Sequence, residues 1–572
     1  MARRSDSIDH AGYRTARAGC AKVKILVALC FPLAVFALIE LALRMAGVAR
    51  PETFFVVGTR PDGEPVLEVN PRSPWGELPF RPPSFTQRKP EGSCRIFCLG
   101  DSTVNGTPFH RHCSFSAWLQ VRLEHLHPGK RFEVVRMGYD SKPAREIAKL
   151  CEEVVHYEPD LVIVYTGHNE FIVQNLATVR HAWGTRIREW LSSFRLGTVL
   201  YALGPLPVER PEHLVKNPVR RITDTPFLSP AEIDQGYEYY REGLERMVRA
   251  CHEAGVRLML CYPVCNLRDY EPVRSTLATS LPEAERARFR QLYEEGEQLL
   301  RAGRFERALQ AYDGALAIDA SPALLHYRRG RCLDRLGRFG EARAAYEQAR
   351  DSDNHPNRAT SRHWRLIDEC AGPEELIADC GSVFDAAARD GIPGEDLFVD
   401  NCHPDIDNQN LIAEAVLRAM ADAGLVAPRA EWHIGEEPDL AEYHRRMGLD
   451  LRKVATDLAG YVLYNLLYVL GNEASVDPVR EAEDVLLFSR RYDATNPTAL
   501  LGLALVSTLQ GNLEEARRYA QQSRERDPTV IGTVLKLARD SKNPRVNELL
   551  QRVPGLLAPE GEAAGGAPAR NE

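Results

Sequence analysis

Short apolar runs alternate with longer segments of helical spacing over residues 92–284. The apolar runs of strand length are residues 96–99, 132–136, 161–165 and 257–262. The segments of helical spacing lie around residues 116–126, 145–156 and 235–253. Strands that alternate with helices in this way predict an α/β fold, a parallel sheet with helices on both faces. Further strands are predicted at residues 376–379 and 397–399, so the sheet resumes after an interruption.

The interruption contains a repeat with a period of 34 residues. Six positions, Gly296, Gly303, Phe305, Ala308, Tyr312 and Ala315, recur as Gly330, Gly337, Phe339, Ala342, Tyr346 and Ala349. Small residues that allow close helix contact and aromatic residues that fill the groove are typical of the tetratricopeptide repeat (TPR) at this period. We therefore expect an inserted pair of helical TPR hairpins at residues 285–355. The repeat register predicts that Arg328 and Arg331 are exposed.

A third match to the repeat lies near the C-terminus. It comprises Ala504, Gly511, Leu513, Ala516, Ala520 and Pro528. It predicts a helical TPR-like region at residues 440–550, and the α/β domain then consists of residues 92–284 and 356–430. Because TPR surfaces bind peptides or proteins, a protein partner is expected. Residues 555–572 are rich in Gly, Ala, Glu and Pro and are predicted to be disordered.

The N-terminal residues combine a basic segment with an apolar one. The basic residues are Arg3, Arg4, Arg14, Arg17, Lys22 and Lys24. The apolar run at residues 25–45 contains Glu40 and Arg44, and at ~1.5 Å per residue it is just long enough to span a hydrocarbon core of about 30 Å. Because Arg and Lys favour the cytoplasmic side, we expect a cytoplasmic tail at residues 1–24, a single-pass membrane anchor, and a periplasmic or extracellular remainder. A cleaved signal peptide is the alternative.

Composition adds few further constraints. The chain has 572 residues, of which 44% are hydrophobic and 27% charged, so it is long enough for two or more domains with cores. Its net charge of −8, with both signs interspersed, gives no reason to expect nucleic-acid binding. Residues 46–91 are rich in proline and predict an extended connector. Among 13 cysteines, Cys94/Cys98 and Cys261/Cys265 are the close pairs, but spacing cannot assign disulfides.

Polar residues follow several of the predicted strands. The segments are Leu99-Gly100-Asp101-Ser102-Thr103, Val134-Val135-Arg136-Met137-Gly138, Gly167-His168-Asn169-Glu170 and Asp400-Asn401-Cys402-His403. Active sites of parallel sheets lie at the carboxyl ends of the strands. A serine nucleophile needs a general base and a third group that orients the base, and Ser102, His403 and Asp400 fit these roles. Taken singly, Ser102 has the alternative of a turn serine, His403 that of a helix-capping histidine, and Asn169 that of an asparagine that merely ends a strand.

The four segments, in this chain order, resemble the SGNH (GDSL-type) hydrolase family, whose sequence blocks carry Ser, Gly, Asn and Asp-x-x-His. The resemblance implies a catalytic triad of Ser102, Asp400 and His403. It implies an oxyanion hole formed by the backbone N–H groups of Ser102 and Gly138 and the side-chain amide of Asn169. We explain Gly138 by close approach of the backbone to substrate. Glu170 departs from the family pattern, in which Asp usually follows this Asn, and the Asn that often precedes the second-block Gly is missing.

The resemblance implies acyl transfer from an ester to water or to a second hydroxyl, so an esterase or an O-acyltransferase. The expected substrates are acylated small molecules or cell-surface or secreted polysaccharides. No cofactor and no metal are expected, since neither a His-Glu-x-x-His nor a Cys-x-x-Cys motif occurs. The alternative function is a TPR-based assembly scaffold with a weak or inactive hydrolase domain. The intact set of Ser102, Asn169, Asp400 and His403 favours the enzyme.

Overall fold

The computed structural model describes residues 30–48, 53–71, 84–109, 113–172, 175, 190–191, 194–203, 227–432, 439–469, 478–540 and 544–553. The predicted tails at residues 1–24 and 555–572 lie outside these ranges. The strands are β1 Phe55–Thr59, β2 Pro65–Val69, β3 Phe85–Thr86, β4 Ser93–Gly100, β5 Arg131–Gly138, β6 Leu161–Tyr165, β7 Arg257–Cys261 and β8 Leu376–Ala378.

The helices up to the second half of the sheet are α1 30–45, α2 Ser102–Asn105, α3 Phe115–Leu126, α4 Ala144–Val154, α5 Arg195–Leu203, α6 Pro230–Ala254, α7 Glu283–Arg301, α8 Phe305–Leu316, α9 Ala323–Arg335, α10 Phe339–Asp351 and α11 Ser361–Cys370. Those that follow are α12 Cys380–Ala387, α13 Gln409–Asp422, α14 Leu440–Arg446, α15 Leu451–Val469, α16 Pro478–Tyr492, α17 Pro497–Leu509, α18 Leu513–Arg526, α19 Pro528–Asp540 and α20 Pro544–Arg552.

The central sheet has five parallel strands in the order β5-β4-β6-β7-β8. Successive side chains of β4 belong to two separate hydrophobic clusters: Ile96 and Cys98 to one, Phe97 and Leu99 to the other. The first cluster includes side chains of α3, α12 and α13, and the second includes side chains of α4, α6 and α11. This confirms the predicted α/β fold with helices on both faces of a parallel sheet.

The TPR insertion leaves the sheet after β7 and returns at β8. The two strands are neighbours, with Met259 opposite Leu376. Between them, α7 packs on α8 and α9 on α10, which confirms the predicted helical hairpins. A Cβ on Gly296 would lie 2.5 Å from the Tyr312 ring, and a Cβ on Gly330 would lie 2.7 Å from the Tyr346 ring. The recurring glycines therefore leave room for the recurring tyrosines.

The insertion is bound to the α/β domain through charged side chains. Arg268, in the segment after β7, is buried and pairs with Asp334 of α9 at 3.0 Å. Arg328 pairs with Glu271 of the same segment at 2.7 Å, and its side chain is only 17% exposed. The prediction that Arg328 is exposed is wrong, because its guanidinium pairs both with Glu271 and with Glu297 of α7. Arg331 is likewise only partly exposed.

Helix α1 covers the second part of the predicted membrane anchor; residues 25–29 lie outside the described ranges. Glu40 and Arg44 pair at 2.7 Å. The second carboxylate oxygen of Glu40 accepts a hydrogen bond from the backbone N–H of Leu196, at the start of α5, at 3.0 Å. Among the helices in the described parts of the chain, none is both long enough and apolar enough to cross a membrane.

Part of the predicted extended connector is folded. Strands β1, β2 and β3 form an antiparallel sheet. The Phe85 ring lies 5.3 Å from that of Phe55 and 5.2 Å from that of Phe97 in β4. Proline content predicted an irregular, extended connector, but burial of these rings against the central sheet outweighs that local preference.

The C-terminal region is helical, as predicted. Leu458 of α15 and Leu486 of α16 share a buried cluster with Phe109 and Ile406. Phe109 follows α2, and Ile406 precedes α13. The C-terminal helices therefore pack against segments that follow Ser102 and His403.

Candidate active site

Ser102 lies where β4 ends and α2 begins. The Asp101 side chain caps this helix by accepting a hydrogen bond from the Thr103 N–H at 3.2 Å. Ser102 is buried, with 8% of its surface exposed. The strand end and the cap thus hold the hydroxyl at the carboxyl edge of the sheet, as predicted.

Asp400 and His403 lie on a tight turn. The Val399 N–H donates to the His403 carbonyl at 3.0 Å and closes the turn. Asp400 Oδ1 accepts from the backbone N–H groups of Cys402 at 2.9 Å and His403 at 2.8 Å. The spacing of three residues therefore lets one carboxylate oxygen bind the backbone while the other faces the imidazole.

The structure brings the three predicted side chains together. His403 Nε2 lies 2.7 Å from Ser102 Oγ, and His403 Nδ1 lies 2.6 Å from Asp400 Oδ2. With Asp400 ionised, Nδ1–H donates to the carboxylate, and Nε2 is left to accept the serine proton. This arrangement can deprotonate the Ser102 hydroxyl and stabilise the resulting imidazolium.

Electrostatics couple Asp400 and His403. Burial disfavours a charged His403, but the adjacent Asp400 carboxylate outweighs it and raises the pKa of His403 well above its ordinary value. Burial would raise the pKa of Asp400, but the charge of His403 and the hydrogen bonds to the carboxylate lower it below its ordinary value. Asp400 therefore stays ionised, and a neutral His403 requires a comparatively high pH.

Gly138 ends β5 opposite Gly100 of β4. A Cβ at Gly138 would lie 2.0 Å from the backbone nitrogen of Asn105 and 2.4 Å from the carbonyl carbon of Val104. The glycine is therefore required by close packing against α2, the helix of Ser102. The predicted reason, room for substrate, is replaced by a contact inside the protein; the role of its N–H as an oxyanion donor stays a prediction.

Asn169 follows β6 and is buried. Its side-chain amide donates to the Lys142 carbonyl at 3.3 Å. The neighbouring Glu170 accepts from the Ala144 N–H at the start of α4 at 2.9 Å. Burial raises the pKa of Glu170 to about 8. The Glu170 side chain thus reaches the start of α4, and it joins the Asn169 loop to the segment after β5.

Two further side chains at the site have no base function near neutral pH. Burial and the charge of His403 lower the pKa of His168 to about 3, so it is neutral. Burial raises the pKa of Cys402 to about 11, so its thiol stays protonated. Within the described residues, Asp400, Cys402 and His403 form one group whose possible metal-ligating atoms lie within 4.8 Å of one another. Asp400 and His403 of this group are the side chains that form the hydrogen-bonded chain with Ser102.

Sequence patterns did not single out His168 and Arg136. His168 Nδ1 accepts from the Ala359 N–H at 3.1 Å, and Arg136 donates to the Asn105 carbonyl at 3.0 Å. Neither contact leaves a local signal, because each partner is distant along the chain. The Asp101 cap could have been found, since Asp before a short helix is a common N-cap.

Parts of the chain are similar to known proteins. A tetratricopeptide repeat family model matches residues 293–359. No curated protein matches. Among solved structures, a catalytic mutant of the acetylxylan esterase Axe2 from Geobacillus stearothermophilus is similar at 12% identity with a TM-score of 0.28, covering 57% of this chain and 95% of that one.

Two other solved structures are similar to a comparable degree. A putative lipolytic protein of the G-D-S-L family from Desulfitobacterium hafniense has 12% identity and a TM-score of 0.24, with 57% of this chain and 99% of that one covered. The α/β hydrolase LAE5 from the metagenome of Lake Arreo has 13% identity and a TM-score of 0.26, with 57% and 95% covered. Similarity at these identities and TM-scores does not indicate which reaction the chain catalyses. The chemical assignment therefore depends on the geometry of the side chains.

Proposed function

We propose that this chain is an SGNH-type serine hydrolase that transfers acyl groups from carboxylic esters, with Ser102, His403 and Asp400 as its triad. The observation that carries the proposal is the continuous hydrogen-bonded relay from Ser102 Oγ through the imidazole to Asp400. A serine hydroxyl bonded to an oriented imidazole is the arrangement that nucleophilic acyl transfer requires.

The reaction follows from these groups. Ser102 Oγ attacks the ester carbonyl as His403 Nε2 takes the hydroxyl proton. The N–H groups of Ser102 and Gly138 and the Asn169 amide stabilise the oxyanion, a contribution of about 3 kcal/mol for a single donor. Collapse breaks the bond to the leaving alcohol, which receives the proton from His403. Water or a second hydroxyl then attacks the acyl-enzyme by the reverse steps.

The placement of the enzyme at a membrane is part of the proposal. Phe31, Leu38 and Met45 of α1 are 67%, 66% and 80% exposed, and the basic N-terminal segment precedes this apolar face. We assign residues 25–45 as a single-pass anchor, with the hydrolase domain periplasmic or extracellular. The physiological substrate is then an O-acylated compound of that compartment, such as a polysaccharide, and the TPR hairpins bind a protein partner.

A fluorophosphonate probe tests the nucleophile, because it labels serines activated by a neighbouring base. The natural chain is expected to be labelled and to hydrolyse p-nitrophenyl acetate, and Ser102→Ala is expected to lose both properties while remaining folded. Ser321→Ala, at an exposed serine of the insertion, is the matched control. Equal labelling of the natural chain and Ser102→Ala would exclude Ser102 as the nucleophile.

The TPR family match supports a scaffold as the second candidate. A scaffold would bind its partner whether or not Ser102 is present. If the natural chain showed neither labelling nor ester hydrolysis but retained partner binding, this second function would be the correct one.

A further inference from the structure

The segment that leads out of the TPR insertion contacts two loops of the candidate active site. We call residues 353–360, between α10 and α11, the strap. The strap is mostly buried. At its start, Asp353 accepts from the backbone N–H groups of Val273 at 2.6 Å and Arg274 at 2.9 Å. The strap is therefore held at the end of the repeats and cannot be a loose connection.

The strap contacts the loop that carries Asn169. The Ala359 N–H donates to His168 Nδ1 at 3.1 Å. His168 is buried and immediately precedes Asn169. A neutral imidazole with an accepting Nδ1 carries its proton on Nε2, so this hydrogen bond also selects the tautomer.

The strap also contacts the turn that carries the base. The Asn401 side chain donates to the Asn357 carbonyl at 2.7 Å. On the other side, the Asn401 carbonyl accepts from the Asn266 N–H at 3.0 Å. Asn401 lies between Asp400 and Cys402, inside the turn that orients His403. These two hydrogen bonds hold the turn between the strap and the segment that follows β7.

We propose that His168 and Asn401 are positioning residues, through which the strap sets the placement of the oxyanion donor Asn169 and of the Asp400–His403 pair. The TPR insertion is then part of the scaffold of the active site, in addition to any partner that it binds. This inference rests on the proposed function. A displacement of about 1 Å at a reacting group can cost about 100-fold in rate. Loss of either hydrogen bond to the strap should therefore be measurable in kcat.

The first experiment compares two substitutions at one position. His168→Leu removes the acceptor and leaves the buried Ala359 N–H unpaired, whereas His168→Asn can present an amide oxygen near the place of Nδ1. With p-nitrophenyl acetate, we expect His168→Leu to lower kcat by about 10- to 100-fold with little change in KM. His168→Asn should keep most of the kcat of the natural chain. The acid limb of the pH–rate profile should stay in place for both, because the Asp400–His403 pair is untouched.

Asn401→Leu provides the second, independent variant. It removes the donor to Asn357, so the turn loosens and the Asp400–His403 bond weakens. We expect kcat to fall by about 10-fold and the acid limb to move to lower pH, because a less closely held carboxylate raises the His403 pKa less. If His168→Leu does not fold, the kcat of Asn401→Leu still tests whether the strap positions the active site.

His326→Leu is the matched control. His326 is, like His168, a buried histidine, but it lies in the insertion, where its ring nitrogen is 2.8 Å from the Ala320 carbonyl. This variant should lower the Tm without changing kcat. Folded His168→Leu and Asn401→Leu proteins with kcat within twofold of the natural chain would overturn the inference, as would equal losses in His168→Leu and His168→Asn. Absence of any Ser102-dependent hydrolysis in the natural chain would instead overturn the proposed function.

Discussion

His403 Nδ1 lies 2.6 Å from Asp400 Oδ2, and this contact determines how the candidate site responds to pH. The carboxylate raises the pKa of His403 against the opposing effect of burial. The base form of the imidazole therefore becomes populated only above the ordinary pKa of a histidine. The same pair makes stability depend on pH: its contribution is complete between the ordinary pKa values of Asp and His, and it is lost as pH rises through the raised pKa of His403 or falls through the lowered pKa of Asp400.

The first prediction concerns this pH dependence. We expect kcat/KM for p-nitrophenyl acetate to rise with pH along an acid limb above the ordinary histidine value of 6.5. Asp400→Asn should move that limb to lower pH, because the carboxylate no longer favours the imidazolium. Its kcat should fall by up to about 10⁴-fold, because the amide does not select the productive tautomer. A limb at the same pH in both proteins would contradict the coupling.

The second prediction concerns Gly138. A methyl group there must displace the Val104–Asn105 backbone, so Gly138→Ala is expected to cost about 1–3 kcal/mol of stability and to move Ser102. Both the Tm and kcat should fall. Gly340→Ala is the control, because a Cβ at that exposed helical position meets no atom within 4 Å, and alanine should gain up to about 1 kcal/mol. Unchanged kcat in Gly138→Ala would mean that α2 tolerates the shift.

The third prediction concerns Glu170. Its folded-state pKa of about 8 exceeds the ordinary 4.5, so between these pH values the native protein keeps a proton on Glu170 that the unfolded chain has lost. The resulting penalty to stability grows as pH rises from about 4.5 and is complete above about 8. Glu170→Gln keeps an acceptor for the Ala144 N–H but has no charge. Urea unfolding at pH 5, 7 and 9 should show the variant gaining stability over the natural chain as pH rises. A pH-independent difference would exclude a raised pKa.

The fourth prediction concerns membrane topology. A reporter enzyme that is active only outside the cytoplasm, fused after Val48, should be active, and the fusion should remain in the membrane fraction after a carbonate wash. The same reporter placed before residue 25 should be inactive. An active reporter in the second fusion would reverse the proposed orientation. A mature chain that begins near Ala49 would show that the apolar segment is a cleaved signal peptide.

Local patterns in the sequence were sufficient for the elements that depend on local spacing. The strand at residues 96–99, the 34-residue offset between Gly296 and Gly330, and the three-residue step from Asp400 to His403 each express a repeat or a turn. Period-two and helical spacing arise from backbone geometry, so they can be read without knowing what each element packs against. The parallel α/β fold and the inserted helical hairpins followed from such patterns.

Only the tertiary structure decided the features that depend on partners distant in the chain. Ser102 and His403 are 301 positions apart, and their contact depends on the order of strands in the sheet. Arg328 was expected to be exposed but pairs with Glu271, and the proline-rich connector was expected to be extended but buries Phe85 on β4. The hydrogen bonds from the strap to His168 and Asn401 had no signal in the sequence. Side-chain burial and hydrogen bonds across the fold outweigh local preference, because each is decided by surfaces that exist only once the chain has folded.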